Sequence, residues 1–154
     1  MNSCCICGIV KDCAPYLERV LNNMEQIGSI FNKYVIILCY DKSGDNTLKI
    51  LTDYAEKNSQ FRLLINTKPI QNKGTTHINA HARNHCLKHI KEHFSDYQYF
   101  IMMDCNDTCT NPVNLNVLRN NLKRNDWDGL SFNSSQPYPD LWSLSMKHLV
   151  YRDR

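Results

Sequence analysis

Apolar side chains along this chain alternate between two rhythms. Residues 4–10 form a nearly unbroken apolar run and residues 34–39 a β-branched one, the pattern of strands covered on both faces. Between them, Leu17, Val20, Leu21, Met24 and Ile27 recur every three or four positions. That spacing predicts an amphipathic helix ending near Ile30, with Asp12 as its cap and Pro15 in its first turn. A second helix carries Leu48, Leu51, Tyr54 and Ala55, and a third strand spans Phe61–Ile65. A loop with Pro69 and Gly74 then leads into a long helix over residues 76–94 and a fourth strand over 97–103. Asn111-Pro112 opens another helix bearing Val113, Leu115, Leu118 and Leu122, and residues 129–132 read as a fifth strand.

Strand–helix alternation at this spacing predicts right-handed βαβ units, hence an α/β fold with a mainly parallel sheet. In such sheets ligands bind beyond the carboxyl ends of the strands. Those ends are Val10-Lys11-Asp12, Tyr40-Asp41, Asn66-Thr67 and Asp104-Cys105-Asn106-Asp107, and two of the four carry clustered carboxylates.

Composition narrows the class. With 154 residues, 42% hydrophobic and 21% charged, residues 1–154 suffice for one domain with its own core and are not of disordered type. No stretch approaches the ~20 apolar residues of a membrane helix. The apolar run at 4–10 has neither a preceding basic residue nor a following small-residue cleavage site, so it reads as a strand and the expected location is cytoplasmic. Eight cysteines make up about 5% of the chain, below the roughly 8–10% of disulfide scaffolds, and reduced thiols are expected. A net charge of +3, scattered without a Lys/Arg cluster, argues against a nucleic-acid partner.

The densest candidate chemistry follows the fourth strand. Asp104, Asn106 and Asp107 put three oxygen-bearing side chains within four residues, the donor type that Mg²⁺ or Mn²⁺ takes alongside substrate phosphates. A plain Asx turn or helix cap is the competing reading. In Asp41-Lys42-Ser43-Gly44-Asp45-Asn46-Thr47, Asp45 suits a cap for the following helix, whereas Asp41 has no capping role and suits hydrogen bonds from a base or ribose. His77, His81, His85, His89 and His93 recur every fourth residue. Each step drifts about 40° around a helix, so only neighbouring pairs could share an ion. Cys4-Cys5-x-Cys7 lacks the paired C-x-x-C of zinc knuckles, and Trp127 and Trp142 suit packing, with Trp142 beside Asp140 an alternative sugar-pocket wall.

Taken in order, Ile-Val-Lys-Asp after strand one, Tyr-Asp-x-Ser-x-Asp-Asn-Thr after strand two, Ala82-Arg83-Asn84 on a helix and strand-Met-Asp-x-Asn-Asp carry a resemblance. Over roughly residues 4 to 145 the chain resembles nucleotide-sugar glycosyltransferases of the GT-A fold, in particular the inverting-type family with an Asp-x-Ser-x-Asp-x-Thr segment and the transferases of fungal capsule synthesis and giant DNA viruses. The resemblance implies a three-layer αβα domain that moves a sugar from a UDP- or GDP-sugar donor to a hydroxyl of a glycan or protein acceptor, with Mn²⁺ or Mg²⁺. It implies donor-side roles for Asp12, for Asp41 at the nucleobase or ribose, for Arg83 near the diphosphate and for Asp104. It implies metal ligation by Asp104 with Asn106 or Asp107, Asn106 being neutral where the family has Asp. Tyr138-Pro139-Asp140-Leu141-Trp142-Ser143-Leu144 resembles an acceptor-side segment and makes Asp140 the catalytic base. The chain stops at Arg154, so part of the acceptor half is expected to be lacking or supplied by a partner chain. A nucleotide-sugar-binding module without catalysis, and a Cys/His zinc-binding interaction domain, are the alternatives.

Overall fold

The computed structural model describes residues 2–67 and 75–131. The chain divides into two compact units after Asn120. In the first, β1 (Ser3–Val10), β2 (Lys33–Tyr40), β3 (Phe61–Ile65) and β4 (Tyr99–Asp104) form one all-parallel sheet in the order β3-β2-β1-β4. Helices α1 (Ala14–Gly28), α2 (Thr47–Lys57), α3 (Thr75–His93) and α4 (Leu115–Leu122) complete the α/β fold, which is compatible with three layers.

The central strands are apolar throughout because both their faces are covered. On one face Cys5, Cys7, Val35, Ile37 and Cys39 pack against Ala82 and Cys86 of α3. The alternate residues Cys4, Ile6, Val10, Ile36 and Leu38 are equally buried on the other. Leu17, Val20, Leu21, Met24 and Ile27 of α1 are all buried, as their spacing predicts, and α1 packs on β1, β2 and α2. The Glu25 carboxylate on α1 accepts hydrogen bonds from Tyr34 and Tyr54 hydroxyls and the Asn58 amide, tying α1 to β2 and α2. None of the eight cysteines forms a disulfide. Among the described residues no helix is long and apolar enough to cross a membrane.

Gly8 is required by close approach. A Cβ there would lie 2.6 Å from Cys105 Sγ, 3.0 Å from Leu38 Cδ2 and 3.1 Å from the Met103 carbonyl oxygen. Only a residue without a side chain lets the segment leaving β4 fold down against the middle of β1.

Three local expectations are corrected. Asp12 does not cap α1: Cys13 occupies the cap position, and Asp45 from beyond β2 supplies the side-chain acceptor. The helix expected from Asn111-Pro112 starts at Leu115, because the Asn114 side chain accepts from the Asn116 and Val117 N–H groups and makes the first turn there. Residues 129–131 form no strand; they are exposed and no described strand pairs with them. In the second unit Arg124 grips Asp126 through two hydrogen bonds, and Trp127 Nε1 donates to the Asn121 carbonyl at 3.0 Å.

Candidate functional site

Because all four strands are parallel, Val10, Tyr40, Ile65 and Asp104 end on one edge of the sheet. The register is nearly level there: Val10 pairs with Tyr40, Tyr40 with Ile65, and Ile9 with Asp104. From β1 the chain builds outward through β2 to β3, then returns to the far side of β1 for β4. The direction of winding therefore reverses between β1 and β4, and the crevice at such a reversal is where open α/β sheets bind ligands.

At this edge β1 runs into a tight turn. Asp12 is the only described non-glycine residue with positive φ, 48°. Its Oδ1 accepts from the Gly44 N–H at 2.6 Å, and its own N–H donates to Ser43 Oγ at 3.0 Å. The Cys13 N–H donates to Thr47 Oγ1 at 3.0 Å and the Ala14 N–H to Asp45 Oδ2 at 2.9 Å. Asp45 Oδ1 also accepts from the Thr47 N–H at the start of α2, so one carboxylate serves two helix starts. Those hydrogen bonds, first that with the Thr47 side chain, hold its pKa below the usual carboxylate range.

Chemically, this means that Ser43, Asp45 and Thr47 are spent on architecture. They also occupy the N–H groups that open α1, Pro15 has none, and Tyr16 and Leu17 donate to the Cys13 carbonyl. The helix terminus that binds phosphate in many α/β proteins is thus already satisfied. Asp41 is half-buried, with Oδ1 accepting from the Lys42 N–H at 2.9 Å.

Beside the end of β1, on the neighbouring strand, lies the end of β4. Asp104 Oδ1 lies 3.2 Å from Nη2 of Arg83, which α3 brings across from a position 21 residues earlier. Both side chains are about half exposed, 46% for Arg83 and 52% for Asp104, so the pair is wet and separable. Asn106 Oδ1 accepts from the Thr108 N–H and hydroxyl, at 3.1 and 2.6 Å, and caps the short 3₁₀ turn Asp107–Cys109. A buried residue holds this loop in place: Asn23 of α1 donates through Nδ2 to the Cys109 and Asn111 carbonyls, both at 2.8 Å.

A hard divalent cation takes one or two carboxylates and completes its shell with water and phosphate oxygens. Asp104, with Asp107 three residues on, supplies that minimal set, whereas the Asn106 oxygen is turned toward Thr108. No group of three or more His, Cys, Asp or Glu that could hold a metal gathers among the described residues, so such an ion fits here only in company with a phosphate. The same holds for the helical histidines. His89 and His93 rings lie 4.5 Å apart between centroids, and His85 Nδ1 lies 3.7 Å from Cys39 Sγ, without a third ligand.

Of the residues singled out in sequence, Asp12 and Asp41 follow the ends of β1 and β2, Arg83 meets Asp104 at the end of β4, and Asn106 and Asp107 follow Asp104 within three residues. Asp140 and Trp142 lie outside the described residues. The sequence reading passed over Asn23, whose signal was a polar residue set into the apolar stripe of α1. No known protein-family model matches the chain, and no curated protein matches it.

Proposed function

We propose that this chain is the donor-binding part of a nucleotide-sugar-dependent glycosyltransferase of the GT-A type. The observation that supports it best is the meeting of Arg83 and Asp104 at the β1/β4 reversal, on the sheet edge that also carries the turn locked by Asp12, Ser43 and Asp45. With the α1 amides already engaged, a diphosphate needs a cationic side chain, and Arg83, paired with Asp104 at the end of β4, can serve as one. Its planar guanidinium can leave Asp104 and take two phosphate oxygens at once. Asp41, at the end of β2, suits the ribose or base. Asp104 and Asp107 would hold Mn²⁺ or Mg²⁺, and such an ion neutralises charge gathering on the leaving nucleoside diphosphate. In this reading Asp140 takes the proton of the acceptor hydroxyl as it attacks the anomeric carbon.

Donor binding without transfer is the second reading, favoured by Asn106, a neutral residue committed to capping. A thermal-shift panel of UDP- and GDP-sugars, with and without Mn²⁺, tests the shared claim. A donor at 100 times its dissociation constant adds about 2.7 kcal/mol of stability. The expected result is a rise of several degrees with one nucleotide class, larger with Mn²⁺; no rise with any donor rejects both readings. Sugar release to water or to simple glycosides then separates transfer from binding alone.

A further inference from the structure

Seven of the eight cysteines are buried, and two of them meet between the sheet and a helix. Cys39 is the next-to-last residue of β2, and Cys86 stands within α3. Cys86 hydrogen-bonds to Cys39, and both belong to the cluster that α3 seals against the strands. Cys86 Sγ lies 3.9 Å from the Gly8 carbonyl oxygen, and Cys39 Sγ lies 3.7 Å from His85 Nδ1. A metal is not the natural occupant, since no group of three ligands that could hold one gathers among the described residues.

The surroundings set Cys39 apart from the other thiols on its face of the sheet. Burial pushes Cys5 and Cys7 up to about 12, whereas the hydrogen bond from Cys86 lowers Cys39, against burial and the nearby Asp41 carboxylate. The thiolate is the nucleophile in thiol oxidation, so Cys39 is the one to react first. The cover over the pair is thin. Among the described side chains of α3 only Ala82 and Cys86 are buried, whereas α1 buries seven residues. A helix held by so few apolar contacts opens locally at small cost, and opening α3 uncovers Cys39 and Cys86 together.

We infer that Cys39 and Cys86 form an oxidisable dithiol, which hydrogen peroxide converts to a disulfide that fastens α3 to β2. The Cys39 thiolate attacks one peroxide oxygen, the O–O bond breaks, and the hydroxide that leaves becomes water with the proton Cys39 gave up. The His85 ring, beside Cys39, is placed to pass that proton. The Cys86 sulfur then attacks the sulfenic sulfur of Cys39. The S–S bond forms, the S–O bond breaks, and the second hydroxide leaves as water with the Cys86 proton. Two thiols lose two electrons and the peroxide becomes two waters. Arg83 lies about one helical turn before Cys86, so the fastened part of α3 is the part that carries the cation of the donor reading. The dithiol itself stands on the fold alone.

The test treats the whole chain, reduced and freed of reductant, with hydrogen peroxide, then alkylates it and digests it with trypsin. Cleavage after Lys33, Lys42, Arg83 and Lys88 places Cys39 and Cys86 in residues 34–42 and 84–88, each with a single cysteine. The expected result is a disulfide joining these two peptides, formed at least about tenfold faster than any other cysteine pair and reversed by dithiothreitol. In Cys86→Ala, dimedone should capture the sulfenic acid on Cys39; in Cys39→Ala, Cys86 should stay a thiol. Cys86→Ser is the second variant should alanine disturb folding, which circular dichroism reports. In the oxidised chain, amide exchange over residues 82–90 should slow about tenfold or more. A folded chain whose Cys39 and Cys86 stay thiols, disulfides spread evenly over the cysteines, or a cross-link that forms only in denaturant would overturn the inference. So would unchanged exchange in α3 once the cross-link has formed.

Discussion

Raising the pH from about 8 to about 10 is expected to unfold this protein. The cause is the number of thiols in its interior. Burial pushes the Cys5 and Cys7 thiols up to about 12 and raises those of Cys4 and Cys105 as well. Cys86 is raised first by its hydrogen bond to Cys39 and then by burial. In the unfolded chain the same groups ionise near 8.5. A pKa raised by folding gives stability that is fully present below the unfolded value and is lost as pH climbs toward the folded one. Each such thiol costs up to about 1.4 kcal/mol per pH unit in that window. Several such thiols act in the same window, so the loss on the alkaline side is steep. Cys39 acts in the opposite sense, because the hydrogen bond from Cys86 lowers its pKa. Tyr34, pushed up to about 12 by burial and by Glu25, adds to the loss above pH 10. Circular dichroism under reducing conditions should show the collapse, and a Cys5→Ala, Cys7→Ala variant should lose stability less steeply with pH. A native spectrum at pH 11 would mean that these thiols are not buried as described.

The second large effect concerns Arg83 and Asp104, and its sign depends on the metal. In the presence of Mn²⁺, Asp104→Asn should remove the metal's contribution to nucleoside-diphosphate binding. Without metal the same change should tighten binding, because it frees Arg83 from its 3.2 Å partner and deletes a negative charge near the phosphates. Arg83→Lys should weaken UDP or GDP binding about tenfold to a hundredfold, the worth of one or two charge-assisted hydrogen bonds, and leave nucleoside binding nearly unchanged. Neither change should move the thermal midpoint much, since an exposed pair contributes under ~1 kcal/mol. Calorimetric titration of each variant with nucleoside and nucleoside diphosphate checks both signs. Equal losses for both ligands would return Arg83 to being a surface ion pair.

What the sequence made legible follows from where each signal comes from. Buried parallel strands advertise themselves as continuous apolar runs, so β1 and β2 were readable, and so was the stripe of α1. Parallel alternation also put the candidate residues on one edge of the sheet. Strand order is not written in any local pattern, and with it the reversal between β1 and β4 stayed hidden. Pairings such as Arg83 with Asp104, 21 residues apart, or Asp45 with Ala14, 31 apart, depend on that topology. The strand expected at 129–132 is not formed over its described residues, 129–131, for a related reason: a β pattern says nothing about whether a neighbour is there to pair with. Asn114 shows the opposite case, a strong local cap that outweighed Pro112 and the apolar Val113 ahead of it. The Asp-x-Ser-x-Asp-x-Thr segment looked like a ligand motif, and most of it proves to be the fastening between the β1 and β2 turns.

Nucleoside-diphosphate binding at the β1/β4 reversal is the central claim, and amide-resolved NMR of the chain titrated with UDP or GDP and Mg²⁺ tests it most directly. The account predicts saturable shifts concentrated at residues 10–14, 41–42, 82–84 and 104–107, with the last two groups lost in Arg83→Ala. Saturable shifts that bypass residues 82–84 and 104–107, or none at nucleotide concentrations of about 1 mM, where a site of ordinary ligand affinity is filled, would contradict it.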